Sequence, residues 1–460
     1  MSLFENSDEK PIAAIATPLG YGGICVVRIS GLRAFSVAQK LIKNSKNKIS
    51  EKKQGTFFYT SVFDCDNEEK IDDVLLLVFH APHSYTGENT VELQGHGGVV
   101  PAERLLNAVL KAGARLAEPG EFTKRAFLNG KLDLTQAEAL CDLIQSQTER
   151  AAAVAKLRLD GVLGNRINEF YDEAVAVSAQ LEHILDFDEG EIADNFTAEC
   201  IVRINGLINS LEQMIDTWRE GELLRQGVLV VLCGAPNAGK SSLLNALLKR
   251  NRAIVHNKPG TTRDIIEENY SLNGVPVRLV DTAGLRDAAN TIESEGIKRA
   301  HALISQADIN LLVVDRSRTT QGAFDAMLAH FEHKKVIIVL NKLDLKESDN
   351  LKINATLPVV AISALSGEGL DQLKATMLNK LDIREDFQTQ PVVNQRHKEE
   401  LLIALNESRS ASEVLVSQLN DIVIAAGHMR EASAALGRIT GRIYSDDILD
   451  RIFSNFCVGK

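Results

Sequence analysis

The sequence predicts a multidomain protein of mixed α/β and α class. It reads as an N-terminal α+β domain, an α-helical domain, and a domain of mostly parallel sheet inserted into the helical one. Three observations predict this. The apolar run Val228-Leu229-Val230-Val231-Leu232 leads into Gly234-Ala235-Pro236-Asn237-Ala238-Gly239-Lys240-Ser241-Ser242, and a helical pattern with Leu243, Leu244, Leu247 and Leu248 on one face follows. Downstream, Ile309 to Val314, Lys335 to Leu340 and Leu357 to Ile362 are continuous apolar runs, as in strands buried on both faces. Helical periodicity fills residues 133–224 and returns after Ile383, so helices enclose the sheet domain in sequence.

The bulk properties set bounds. A chain of 460 residues exceeds one core and predicts two to four domains. No apolar run approaches a membrane span, and residues 1–10 are polar and acidic, which argues against a signal peptide. The six cysteines are scattered without a CxxC pair, a pattern that fits a reducing cytoplasm better than a disulfide framework or a zinc site. A net charge of −11 excludes a generic polyanion binder; a nucleic acid would need a local basic face.

In order along the chain, residues 1–130 form the first domain. Ile12 to Ile15 and Ile24 to Ile29 are predicted strands around the turn-rich Thr17-Pro18-Leu19-Gly20-Tyr21-Gly22-Gly23. Ile71 to Phe79 and Val91 to Gln94 are further strands. The six lysines between Lys40 and Lys53 read as a solvated connection, with a nucleic-acid-facing patch as the alternative. Residues 131–224 are the first part of the helical domain. Thr135 and Glu138 have capping-box spacing ahead of Ala137, Leu140, Cys141 and Ile144, and the acidic stretch 186–194 is a predicted loop. Residues 225–382 are the inserted domain. Within it, Asn273-Gly274 between two strand patterns predicts a hairpin with a tight I′ turn. Residues 383–460 complete the helical domain, with helices over Leu401 to Val416 and Ile422 to Leu436.

The glycine-bounded loop is a phosphate cradle. Its backbone amides and the start of the following helix face the β- and γ-phosphates, Lys240 adds a point charge, and the Ser241 hydroxyl can ligate Mg²⁺. Four elements follow in the order a GTP-binding domain needs. Gly260-Thr261-Thr262 supplies a second hydroxyl, Thr262, for Mg²⁺. Asp281-Thr282-Ala283-Gly284 ends a strand, with Asp281 on the metal side and the Gly284 amide near the γ-phosphate. Asn341-Lys342-Leu343-Asp344 places a carboxylate where guanine N1–H and the 2-amino group can donate to it, which adenine cannot do. Ser363-Ala364 offers a backbone N–H to guanine O6. The inserted domain therefore reads as a Ras-like P-loop GTPase domain. Leu285 stands where such switches carry a water-orienting glutamine, so the loop alone is an incomplete catalyst. Asp287, Glu293 and Glu295 are the acids nearby, and spacing does not choose among them.

Outside these motifs the chain carries Ala16-Thr17-Pro18 with Gly22-Gly23, Arg28-Ile29-Ser30-Gly31, Tyr85-Thr86-Gly87-Glu88, and Glu92-Leu93-Gln94-Gly95-His96-Gly97-Gly98. It also carries Pro119-Gly120-Glu121-Phe122, the run from Arg125 to Leu134, and the C-terminal Phe456-Cys457-Val458-Gly459-Lys460. With the GTPase motifs, these resemble the tRNA-modification GTPase family known as MnmE or TrmE over nearly the whole chain.

The resemblance implies a cytoplasmic homodimer with an N-terminal folate-binding and dimerisation domain. With an FAD- and NADH-using partner of the MnmG/GidA family, in a heterotetramer, it would add an aminomethyl or carboxymethylaminomethyl group to C5 of the wobble uridine of certain tRNAs. A tetrahydrofolate derivative (5,10-methylene- or 5-formyl-) would supply the carbon. Folate contacts carry over to Arg28, Glu92 and Lys131, with Lys460 nearby, where a carboxylate suits pterin donors and cations suit the anionic tail. K⁺ would sit against the phosphates, held by Asn237 and the loop from Ile254 to Thr261. His256, Lys258 and Thr261 would belong to its surroundings, and Asn257, Pro259 and Gly260 would border the nucleotide. Glu293 would orient the attacking water through a second water. Cys457 would be a functional thiol in the modification reaction; a small apolar residue packed in the tail is the other reading. A GTP-dependent RNA or ribosome-assembly switch without folate chemistry is the alternative function.

Overall fold

The computed structural model describes residues 10–43, 48–184, 196–250, 267–281, 301–329, 331, 335–346, 351–353, 356–382, 392–417, 421–454 and 456–459. The chain forms two compact units. One takes in Met1–Cys141, Gly164–Asp172 and Ser433–Lys460; the other takes in Asp142–Leu163 and Glu173–Ala432. Among the described residues no helix is long and apolar enough to cross a membrane.

The first unit is built on a six-stranded sheet of β1 (Ile12–Ile15), β2 (Ile24–Ser30), β3 (Phe57–Phe63), β4 (Lys70–Phe79), β5 (Thr90–His96) and β6 (Arg115–Leu116), in the order β3-β4-β5-β2-β1-β6. All neighbours are antiparallel except β1 and β6. Alternation makes one face apolar: Val27 and Ile29, Val74, Leu76 and Val78, Val91 and Leu93 are all buried. That face packs with α1 (Ala34–Lys40) and with the Ala102, Leu105, Ala108 and Val109 stripe of α2 (Val99–Lys111). Truncating a fully buried leucine such as Leu105 to alanine would cost about 2–5 kcal/mol.

Beyond the sheet, α3 (Glu121–Leu128) and α4 (Leu134–Gln145) share a cluster with the helix Asp446–Phe453, through Phe127, Leu134, Ala137, Leu449, Phe453 and Phe456. The expected capping box at Thr135 and Glu138 is displaced by two residues. Asp133 Oδ1 accepts from Gln136 N at 2.8 Å, while Gln136 Oε1 accepts from Asp133 N at 2.9 Å. The Asp133 carboxylate also takes the Thr135 hydroxyl at 2.6 Å, so Thr135 serves the cap rather than making it. Near the C-terminus, Gly459 lies so close to the Ile15 carbonyl that any side chain there would collide with it.

The second unit holds the other sheet, of β7 (Val228–Cys233), β8 (Glu267–Leu272), β9 (Val275–Asp281), β10 (Ile309–Asp315), β11 (Val336–Asn341) and β12 (Val359–Ala361). Its order is β12-β11-β10-β7-β9-β8, parallel throughout except for the antiparallel edge strand β8. β7 and β10 are buried along their whole length, which explains their uninterrupted apolar sequences. The β8–β9 turn has Asn273 at φ 50° and Gly274 at φ 84°, the two positive values that a I′ turn requires.

The second unit also holds α5 (Glu149–Leu159), part of α6 (Val162–Ile184), whose Gly164–Asp172 belongs to the first unit, and α7 (Phe196–Asp216), α8 (Trp218–Gln226), α9 (Lys240–Arg250), α10 (Gln321–Leu328), α11 (Leu370–Lys380) and α12 (Gln395–Val416). α12 starts with a capping box of Asn394 and His397, and runs beside α7, to which it is tied by Arg409–Glu212 at 2.5 Å. The predicted loop 186–194 lies outside the described residues.

Candidate nucleotide site

The strand order reverses direction of winding at β7, between β9 and β10, and ligands of open α/β sheets bind at the carboxyl ends of strands there. Register fixes what meets at that edge. Leu232 pairs with Asp281, Leu312 with Cys233, and Asp315 with Asn341. The loop after β7 therefore emerges beside two carboxylates and an amide.

Within the loop, Asn237 is exposed at φ 60°, and Gly239 takes φ 95° against the Asn341 amide, leaving no room for a side chain. Lys240 is 6% exposed, and its ammonium donates to Gly234 O at 3.1 Å and Ala235 O at 2.9 Å. Its charge is thus held inside the curl of the loop, where a phosphate would be cradled. Ser241 Oγ donates to Asp281 Oδ2 at 2.8 Å, so a hydroxyl and a carboxylate stand side by side. This is a hard-oxygen pair of the kind Mg²⁺ selects. Ala238 is buried; Ser242 is exposed on the first turn of α9.

Asn341, at the end of β11, is 2% exposed and acts as a strut. Its Nδ2 donates to Ala238 O at 2.9 Å and its Oδ1 accepts from Ala364 N at 3.1 Å. One amide therefore joins the phosphate loop to the segment after β12. Asp344 Oδ1 accepts from the fully buried Ser363 hydroxyl at 2.6 Å, which orients the carboxylate expected to read guanine. Lys342 turns back at φ 68° and places its Nζ 2.6 Å from Asp315 Oδ2. Sequence reading had no role for Asp315; its signal is an acid at the carboxyl end of a wholly buried parallel strand. Burial alone would raise the Asp315 carboxyl, but hydrogen bonds from Lys342 and Ser317 outweigh it and hold the group below the usual carboxylate range. Burial pushes the Cys233 thiol, just before the loop, up to about 12.

His256, Asn257, Lys258, Pro259, Gly260, Thr261 and Thr262 lie outside the described residues. So do Thr282, Ala283, Gly284, Leu285, Asp287, Glu293, Glu295 and Lys460.

In the first unit, Arg28 and Glu92 are direct partners across β2 and β5, with Nε 2.8 Å from Oε1. Both keep a minor exposed surface, 17% and 16% of their side chains. The Arg28 guanidinium lies 5.3 Å from the Tyr85 ring centroid and 5.7 Å from that of Phe122. The Tyr85 hydroxyl pairs with Thr123 Oγ1 at 2.8 Å. Neither ring was singled out from the sequence, although both stand within the quoted motifs. Lys131 Nζ donates to Pro82 O at 3.0 Å. Cys457 is exposed, and its carbonyl accepts from Gly120 N at 3.4 Å.

Known proteins resemble this chain over nearly its whole length. The family described as the MnmE helical domain matches residues 134–457, and that described as the GTP-binding protein TrmE N-terminus matches residues 11–131. A tRNA modification GTPase MnmE of Geotalea uraniireducens (strain Rf4) is 39% identical over 461 residues, spanning 98% of this chain and 99% of that one. Another, of Carboxydothermus hydrogenoformans, is 39% identical over 463 residues, spanning 98% and 100%. Among solved structures, the G domain of the T. maritima FeoB iron transporter is 30% identical over 33% of this chain and 98% of that chain, with a TM-score of 0.25.

Proposed function

The chain belongs to the MnmE family of tRNA modification GTPases and is a GTP hydrolase, and from that premise we propose its finer chemistry. With an FAD-dependent partner of the MnmG/GidA family, the homodimeric protein adds an aminomethyl or carboxymethylaminomethyl group to C5 of the wobble uridine of certain tRNAs. A tetrahydrofolate derivative supplies the carbon. The observation that carries this reading is the Arg28–Glu92 pair with the Tyr85 and Phe122 rings beside it. A carboxylate for pterin donors, a guanidinium for an anionic tail and two aromatic faces beside them are the chemistry such a folate site needs.

The division of labour follows from the residues. Lys240 and the loop amides hold the phosphates; Ser241 and Asp281 fit Mg²⁺, with Thr262 as the second hydroxyl, and the ion would neutralise charge developing on the phosphate oxygens. Asn237 and the loop from Ile254 to Thr261 would hold K⁺, and the exposed, left-handed Asn237 leaves its amide oxygen accessible for that. Glu293 orients water through a second water, in place of the glutamine that Leu285 replaces. At the folate site, Glu92 accepts from pterin donors while Arg28 and Lys131 face the anionic tail, with Lys460 nearby. GTP energy does not enter the new C–C bond; hydrolysis drives opening and closing of paired G domains that reorganise the complex. The protein acts in the cytoplasm, and the four segments 1–130, 131–224, 225–382 and 383–460 serve folate binding, the two helical parts and GTP hydrolysis between them.

Nucleoside analysis of tRNA from cells with and without this chain tests the proposal. Loss of the C5 group from wobble uridines is expected; unchanged wobble uridines would overturn it. Binding of 5-formyl-tetrahydrofolate by the purified protein, and its loss in Glu92→Ala, separates the proposal from an assembly switch.

A further inference from the structure

The turn of the β8–β9 hairpin is held by side chains from the start of α5, which take both of its carbonyls. Thr148 Oγ1 donates to Gly274 O at 2.6 Å, and Arg150 Nη1 donates to Asn273 O at 3.1 Å. The same Thr148 oxygen accepts from Ala151 N at 3.2 Å, as the N-cap of α5. One hydroxyl thus starts a helix with its lone pair and holds a hairpin with its proton. Arg150 extends the link, since its Nη2 lies 3.3 Å from Glu220 Oε1 on α8. Its stem lies so close to the turn that a Cβ on Gly274 would stand 2.7 Å from Arg150 Cβ.

Next to these contacts the packing is open. A cavity of about 60 Å³ is lined by Val154 and Arg158 of α5, Leu224 and Arg225 of α8, and Pro276 and Arg278 of β9. Close-packed interiors transmit displacement rigidly, whereas a void lets neighbouring elements shift at lower cost. Beside the cavity, Val154 of α5 and Leu224 of α8 share a buried cluster with Val275 and Val277 of β9, and the polar contacts at the turn add a directional link to that apolar packing. The far end of β9 is Asp281, which stands on Ser241. Seven residues of strand span roughly 20 Å, and pairing with β7 on one side and β8 on the other stiffens them.

We propose that Thr148 and Arg150 are positioning residues that couple the nucleotide end of β9 to α5 and α8. A change in occupancy at Ser241 and Asp281 is then felt at Trp218, the first residue of α8. This rests on reading Ser241 and Asp281 as the metal side of the GTP site. Coupling of this kind is reciprocal: helices that shift α5 would in turn shift the site. Trp218 is the sole tryptophan in the chain, and Lys398 Nζ sits 3.3 Å from its ring centroid, so its emission reports movement of α8 against α12.

The experiment uses the full-length protein. Trp218 emission is recorded while GDP or a non-hydrolysable GTP analogue is added with Mg²⁺, and nucleotide affinity is measured separately by equilibrium dialysis. Thr148→Asp keeps an acceptor for Ala151 N but has no proton for Gly274 O, so it separates helix capping from the coupling; Thr148→Ser keeps both. The wild type and Thr148→Ser should show a nucleotide-dependent change in emission. Thr148→Asp and Gly274→Ala should lose that change while affinity stays within about threefold, with kcat for GTP falling about tenfold. Should Thr148→Asp fail to fold, Gly274→Ala decides. A wild-type emission change and kcat retained in the folded variants would overturn the proposal, as would a wild type that binds nucleotide without any change at Trp218. A wild type that binds no guanine nucleotide would overturn the GTP-site reading, and the coupling with it.

Discussion

Lys342 and Asp315 tie the carboxyl ends of β11 and β10 together, with Nζ 2.6 Å from Oδ2. A lysine two residues before Asp344 is thereby committed to bracing the carboxyl edge of the sheet. Because the Asp315 carboxyl is held below its usual range when folded, it contributes stability above the unfolded value of about 3.9. That contribution is lost as pH falls through the lower folded value. Asp315→Asn should therefore lower the melting temperature at neutral pH, at a cost of about 1–3 kcal/mol, and flatten the fall in stability below roughly pH 4. Thermal unfolding across pH 2–7 checks this (the range is approximate); identical profiles for the two proteins would exclude it.

Asp344 should set the base. Its carboxylate is oriented by the Ser363 hydroxyl and, on the proposed reading, would accept from two guanine donors. In Asp344→Asn the side chain can donate as well, and xanthine presents a carbonyl where guanine has its 2-amino group. GTP affinity should fall by about two orders of magnitude, with hydrolysis of XTP gained. Competition between the two nucleotides measures the exchange, and a variant that still prefers GTP contradicts the assignment.

Potassium should accelerate hydrolysis more than sodium does. Asn237→Ala should bring the ratio of the two rates towards one, since on the proposed reading the exposed Asn237 amide helps hold the cation. Phosphate release in matched salts decides it, and equal wild-type rates in K⁺ and Na⁺ would remove K⁺ from the scheme.

The cysteines should separate by accessibility. Cys65 and Cys457 are exposed, whereas Cys233 is buried with its thiol pushed up to about 12, so almost no thiolate forms there at neutral pH. Iodoacetamide should label Cys65 and Cys457 in the folded protein and reach Cys233 only after unfolding, as peptide mass mapping would record. If Cys457 is the functional thiol, Cys457→Ser abolishes tRNA modification while GTP hydrolysis persists; full modification in that variant removes the thiol from the reaction.

The second sheet was legible because its strands are buried on both faces, so their apolar runs are continuous and the motifs sit at their ends. The hairpin was legible from Asn273 and Gly274 alone. β3 was not, because it is an edge strand with an irregular register at Val62 and Phe63 and with Phe57 and Tyr59 on its exposed side, so no clean alternation marks it. The cap of α4 was placed two residues late because Asp133 and Gln136 cap as well as Thr and Glu do, and only geometry distinguishes overlapping candidates. The partners of functional residues were the least legible. Asp315 meets Lys342, and Tyr85 and Phe122 meet Arg28, through pairings between distant segments that no local pattern encodes.

The Gly459 backbone rests on the Ile15 carbonyl, and Phe456 fills a cluster with Phe127 and Leu134. A ribosome must therefore release the entire second unit before the first can be finished. Until that tail arrives, the nascent N-terminal segment holds an unfilled aromatic seat, exposed to chaperones for most of the time the chain takes to make. A stop codon late in the message would leave the second sheet whole and the first unit unsealed, so late truncation should be read in the cell as a folding defect of the part made first.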